Sequence, residues 1–197
     1  MINFSLPSFI NICLLDTGGR ISRLQKRLEK SNGYDFYKPL HRAIRLQCEK
    51  RVDEAEAVLS APSNDAERKH NKRAFDAYID KFGTIRSRAK LKSKKTLSFT
   101  SSGISITVDP LFSFEKAGGQ SVFSVWPSQE PELTQKYGAV ACFLMREAYK
   151  SSPLANSQFF LADLVSGKTF SEKQITNNTN LIVSADIASI GRLLKEL

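Results

Sequence analysis

Cysteine is scarce in this chain. Cys13, Cys48 and Cys142 are odd in number, far apart and form no CxxC pair. That excludes a disulfide framework and a cysteine-based zinc site. Free thiols suit a reducing compartment. Long apolar runs are missing too: none approaches the roughly 20 residues that span a bilayer, so no membrane association is expected. Met1–Leu15 is apolar, but it has no basic leader, meets Asp16 early and offers no small-residue cleavage site, so a cytoplasmic protein is expected rather than a secreted one. Histidine is limited to His41 and His70, which stand beside Arg42, Arg45, Lys69 and Lys72 with no HExxH or HxxxH spacing. They read as exposed helical residues, not metal ligands. Gly18-Gly19 and Gly118-Gly119 are too sparse to cradle phosphate, and no GxSxG elbow occurs.

What the chain does have is positive charge, placed unevenly. Residues 1–95 hold 21 Lys+Arg against 11 Asp+Glu, a net of +10, while residues 96–197 hold 8 against 9. The excess peaks in Arg86, Arg88, Lys90, Lys92, Lys94 and Lys95, six cations with no acid among them. Arg68, Lys69, Lys72 and Arg73 lie upstream. The cations at 86, 88, 90, 92 and 94 recur with period two, so an extended backbone would aim all five to one side. Three readings of the run stay open: contact with a phosphate backbone, a solvated surface, or a dock for an acidic protein.

The 197 residues, 41% hydrophobic and 25% charged, are enough for a sizeable core without staples. One domain, or one domain with a smaller helical part, is expected. Residues 1–95 read as helical. Gly18-Gly19 breaks the apolar start, and Ile21, Leu24 and Leu28 recur at helical spacing up to Ser31-Asn32-Gly33. A helix is predicted from about Tyr37 to Ser60 with Leu40, Ile44, Cys48, Val52, Ala55 and Leu59 as its stripe. A third, capped by Asn64 or Asp65, has Phe75, Tyr78, Ile79 and Phe82 on its apolar face and ends near Gly83.

Strand patterns begin at Thr96. Leu97–Phe99, Ile104–Val108 and Val122–Trp126 alternate or cluster, with turns at Ser101–Gly103 and Ala117–Gly119. Pro127–Pro131 opens a helix whose buried stripe runs from Leu133 to Ala148. Phe159–Val165 reads as a buried strand and Leu181–Val183 as a short last one, before a helix capped by Ser184. The expected architecture is α+β: a basic helical region, 1–95, packed on a four- to five-stranded mixed sheet with flanking helices, 96–197. Trp126, the only tryptophan, is read as a core residue with its indole N–H satisfied nearby, the alternative being a stacking surface.

The order of Ile106–Val108, Asp109-Pro110, the hairpin through Gly118-Gly119, Val122–Trp126, a long helix with Gln135 and Tyr137, and the strand Phe159–Val165 resembles the restriction-endonuclease-like core, the PD-(D/E)XK superfamily in its RecB-nuclease form, over about residues 96–175. In that family an Asp at a strand end and an acid-x-Lys one hairpin later hold a divalent ion that activates water against a phosphodiester. Asp109 matches the first position. The acid-x-Lys slot falls on Ser124-Val125-Trp126, which supplies neither the carboxylate nor the lysine. The resemblance therefore implies a degenerate active site and no cofactor. An active version would need Mg²⁺ held by Asp109 with a displaced acid, Glu130 or Glu147. The bland alternative for Asp109 is a strand-end Asp before a proline turn.

The expectation from these residues is a non-catalytic nucleic-acid-binding or complex-forming protein on a degenerate nuclease-like fold. It contacts phosphate backbone through Arg86, Arg88, Lys90, Lys92, Lys94 and Lys95, with Lys72 and Arg73 beside them. The alternatives are a metal-dependent nuclease and an accessory subunit that binds only protein, docked through the apolar start Phe4–Ile10, whose other reading is a segment folded back on the core.

Overall fold

The computed structural model describes residues 1–29, 35–85, 87–91, 94–116 and 119–197. Arg86, Lys92, Ser31-Asn32-Gly33 and Ala117-Gly118 lie outside them. The fold is α+β, as the sequence predicts, with two sheets and seven α-helices among the described residues.

The chain opens with strand β1 (Ile2–Ser5) and helices α1 (Leu6–Leu14) and α2 (Thr17–Glu29). Three helices follow, α3 (Lys38–Cys48), α4 (Val52–Ser60) and α5 (Asp65–Phe82). Strands β2 (Ala89–Lys90), β3 (Lys95–Phe99), β4 (Ile104–Val108), β5 (Phe112–Lys116) and β6 (Gly119–Trp126) precede α6 (Gln135–Tyr149). Strands β7 (Gln158–Asp163) and β8 (Thr169–Ser171) lead to α7 (Thr179–Glu196). A three-stranded sheet has the order β1-β4-β3 and a five-stranded sheet the order β2-β5-β6-β7-β8. Both draw strands from either side of residue 95. In the larger sheet β6 and β7 are parallel, joined through α6, and the other neighbours are antiparallel.

Successive side chains of a strand point to opposite faces, and β6 and β7 bury both. Phe123, Val125, Phe160 and Ala162 face a core built with α3, α4 and α5. Val122, Trp126, Phe159 and Leu161 face a second core with α1, α6, α7 and the small sheet. On the first face phenylalanines stack across three strands: Phe112 on Phe123 at 5.1 Å and Phe123 on Phe160 at 4.8 Å. Tyr78 and Phe82 of α5 meet Phe112 edge-on at 5.3 and 5.1 Å. This ladder fastens the basic helices to the sheet.

Several elements differ from their sequence reading. Ile2–Ser5 is a strand, parallel to β4, because Phe4 and its neighbours pair with Ile104–Thr107. Gly18-Gly19 does not break a helix: both lie in the first turn of α2, where Asp16 Oδ1 accepts from Gly19 N at 2.7 Å. The helix predicted over 37–60 is two. Lys50 takes a left-handed φ of 61° and Arg51 N turns back to Leu46 O, leaving Val52 half exposed. Residues 127–134 form a loop, and α6 starts after Thr134, which caps Tyr137 N. Leu181–Val183 is helical: Val183, Ile187, Ile190 and Leu193 follow a period of three to four, and Leu181 faces outward. Phe4, Leu6, Phe9 and Ile10 are all buried, so the apolar start folds onto the chain's own core and is not a free docking segment.

Candidate functional site

Asp109 follows β4, where the chain passes from the small sheet to the large one. Its carboxylate is occupied. Arg45 Nη2 of α3 lies 2.8 Å from Oδ1, and Lys94 Nζ lies 3.8 Å from Oδ2. The same junction is packed from the opposite side by Tyr149 of α6, whose hydroxyl reaches Val108 O at 3.4 Å. Burial, reinforced by the Asp109 charge, pushes that phenol up to about 12, with Arg45 pulling the other way. Tyr149 therefore stays a neutral donor.

The acid-x-Lys slot lies on β6. Ser124 is buried and Trp126 is 2% exposed within the α6-side core. Trp126 is thus a core residue, but its indole N–H finds no partner, which corrects that half of the expectation. Glu130 sits exposed on the loop before α6 and makes no ion pair among the described residues, while Glu147 of α6 pairs with Lys150 at 2.7 Å. Among the described residues, no three His, Cys, Asp or Glu side chains gather as a set that would hold a metal ion.

One acid at this end of the sheet escaped sequence reading. Asp163 ends β7 opposite Trp126. It accepts from Val165 N at 2.8 Å, Ser166 N at 3.2 Å and Ser166 Oγ at 2.6 Å. Those bonds shape the turn into β8, and they satisfy both carboxylate oxygens. Asp163 before Leu-Val-Ser-Gly was the available signal.

Arg86 and Lys92 of the basic run lie outside the described residues, and the described cations of the run do not form a one-sided row. Among the described residues, Ala89–Lys90 joins the large sheet, and Lys95 starts a strand of the small one. Arg88 turns inward: Nη1 donates to Tyr78 Oη at 3.0 Å and Nη2 to Gly83 O at 3.3 Å. Lys90 pairs with Glu49 at 2.8 Å, and Lys94 faces Asp109. Lys72 pairs with Asp76 at 2.6 Å and approaches Glu56 at 3.6 Å. Lys95 and Arg73 make no ion pair among the described residues, and Arg73 is exposed. These acids lie up to 41 residues from their partners, so a linear count of charge missed them.

Both histidines are half buried rather than exposed. Burial holds the His41 imidazole below its ordinary range, with Asp35 and Asp109 opposing and Arg45 reinforcing the shift. Elsewhere a second buried charge appears. Arg20 of α2 donates to Asp186 Oδ1 of α7 at 2.9 Å, and Tyr137 Oη of α6 donates to Oδ2 at 3.0 Å. This network locks three helices.

Among the described residues, no helix is long and apolar enough to cross a membrane. No family model matches the chain, and no curated protein matches it.

Proposed function

We propose that this protein binds nucleic acid, or joins a nucleic-acid complex, without cleaving it, on a degenerate restriction-endonuclease-like core. The observation that carries the non-catalytic half is the state of Asp109. Its carboxylate is neutralised by Arg45 at 2.8 Å and Lys94 at 3.8 Å, so a divalent ion would have to displace a guanidinium to reach it. The slot one hairpin later offers a buried serine and a buried tryptophan, which provide neither a hard anionic ligand nor a cation for the scissile phosphate. The β5–β6 hairpin, α6 and the parallel strand β7 follow in the order the resemblance implies, whereas β4, the strand before Asp109, belongs to the other sheet.

The binding half rests on charge. The chain's net of +9 survives the internal ion pairs, because each pair removes one cation and one acid together, although Arg20, Arg45 and Lys94 pair with acids beyond residue 95. An anionic polymer is the partner such an excess favours, through backbone rather than base contacts. The cations that remain unpaired among the described residues sit on the helical layer as well as in the 86–95 run.

Incubation of the protein with labelled duplex and single-stranded DNA and RNA, with and without Mg²⁺ or Mn²⁺, tests both halves. Binding without product on a denaturing gel is the expected result. Metal-dependent cleavage abolished by Asp109→Ala would replace this reading with the nuclease. Co-purification with a protein partner, and no nucleic-acid binding, would leave an accessory subunit.

A further inference from the structure

Asn71 is fully buried in α5 and holds the chain segment before α3 against it. Its Oδ1 accepts from Leu40 N at 3.0 Å, and its Nδ2 donates to Phe36 O at 2.8 Å and to Glu67 O at 2.8 Å. This clamp sets Phe36 and Tyr37 beside His70. The Phe36 and Tyr37 rings meet edge-on, centroids 5.1 Å apart at 78°, and Phe36 meets His70 at 5.9 Å and 62°. All three residues are of intermediate exposure, mostly covered but with part of each open to solvent. Around them Lys38, Lys69 and Arg73 are exposed and form no ion pair among the described residues. Burial raises the Tyr37 phenol, and Arg73 and Ser128 act against that shift, which puts Arg73 beside the ring. Asp35, an exposed acid beside the group, accepts from Tyr37 N at 3.2 Å.

We propose that these three rings, flanked by Lys38, Lys69 and Arg73, form a stacking site for an unpaired base of a single-stranded nucleic acid. The proposal deepens the nucleic-acid reading and rests on it. Partly exposed aromatic faces interleaved with cations are the two parts a single-strand site needs: π surfaces for the bases and positive charge for the backbone between them. In the sequence Phe36 and His70 are 34 residues apart, so the interleaving is invisible there. A duplex keeps its bases stacked on each other and gains nothing from the rings. The site therefore favours single strands, with little sequence preference, since every base has a π face.

The test uses the full chain and fluorescence anisotropy with a labelled 12-nucleotide single strand and the matching duplex at low salt. Phe36→Leu keeps an apolar side chain but removes the ring. It is expected to weaken single-strand binding by about tenfold, within the range for one lost stack, and to leave duplex binding unchanged. Phe36→Trp is expected to retain binding and to show tryptophan quenching on adding the strand, because Trp126, the only native tryptophan, is buried in the other core. Circular dichroism confirms that both variants fold. Unchanged single-strand affinity in Phe36→Leu, no quenching in Phe36→Trp, or a native preference for duplex would overturn the stacking site and leave the general binding reading standing. Failure of the native protein to bind any strand would sink that reading and this site with it.

Discussion

Arg45 and Asp109, 64 residues apart, form an ion pair of 2.8 Å that ties helix α3 to the junction between the two sheets. Both side chains are about a quarter exposed, which places the pair between a screened surface contact and a buried one. Removing Arg45 leaves the carboxylate with Lys94 alone. Arg45→Ala is expected to cost about 1–2 kcal/mol in urea unfolding, and a double-mutant cycle with Asp109→Ala to give a coupling of about 1 kcal/mol. If both carboxylate and guanidinium variants match the native stability, the pair does not hold the junction.

The Arg20–Asp186 pair is more enclosed, with side chains 15% and 11% exposed, and Tyr137 completes it. Asp186→Ala leaves a largely buried guanidinium with the Leu15 and Cys13 carbonyls but no counter-charge and is expected to cost about 3 kcal/mol, whereas Tyr137→Phe loses one hydrogen bond and costs about 1 kcal/mol. Thermal unfolding of the two variants measures the difference, and equal losses would contradict it.

Much of the helical layer was legible. Asn64 caps α5 by accepting from Ala66 N and Glu67 N, and Phe75, Tyr78 and Phe82 form the buried face their spacing predicts. The buried strand at Phe159 and the α6 stripe were legible for the same reason, a strong local period. Local rules failed where a distant partner decided. Ile2–Ser5 became a strand because β4 lay beside it, and Leu181–Val183 became helical despite its β-branched run because Val183 continues the buried face of α7. The excess of positive charge could be counted from the sequence. Its distribution could not, since Glu49 and Asp109 reach Lys90 and Lys94 only through the fold.

Gly138 marks the tightest contact of α6 with β8. A Cβ there would lie 2.3 Å from Cγ of Phe170. Gly138→Ala is expected to destabilise the protein by about 1–3 kcal/mol through overpacking, although alanine is the better helix former. Adding Phe170→Leu should recover part of the loss. A more stable Gly138→Ala variant would contradict this packing.

His41 makes stability depend on pH. Its folded pKa lies below the ordinary 6.5, first because of burial. The unfolded chain therefore binds the proton more readily. The contribution of neutral His41 is complete above pH 6.5 and is lost as pH falls through 6.5 towards the folded value. Melting temperature should fall between about pH 7.5 and 5.5, and His41→Asn should flatten that slope. An equal slope in the variant would assign the dependence to other groups.

The central claim, a phosphate-backbone partner for the excess positive charge of residues 1–95, is tested most directly by the salt dependence of duplex binding in the native protein. Neutralising about four phosphates predicts a slope of log K against log salt of about −3 to −4, the same for unrelated sequences. A slope near zero, or no binding at about 50 mM salt, where screening is still modest, would contradict it.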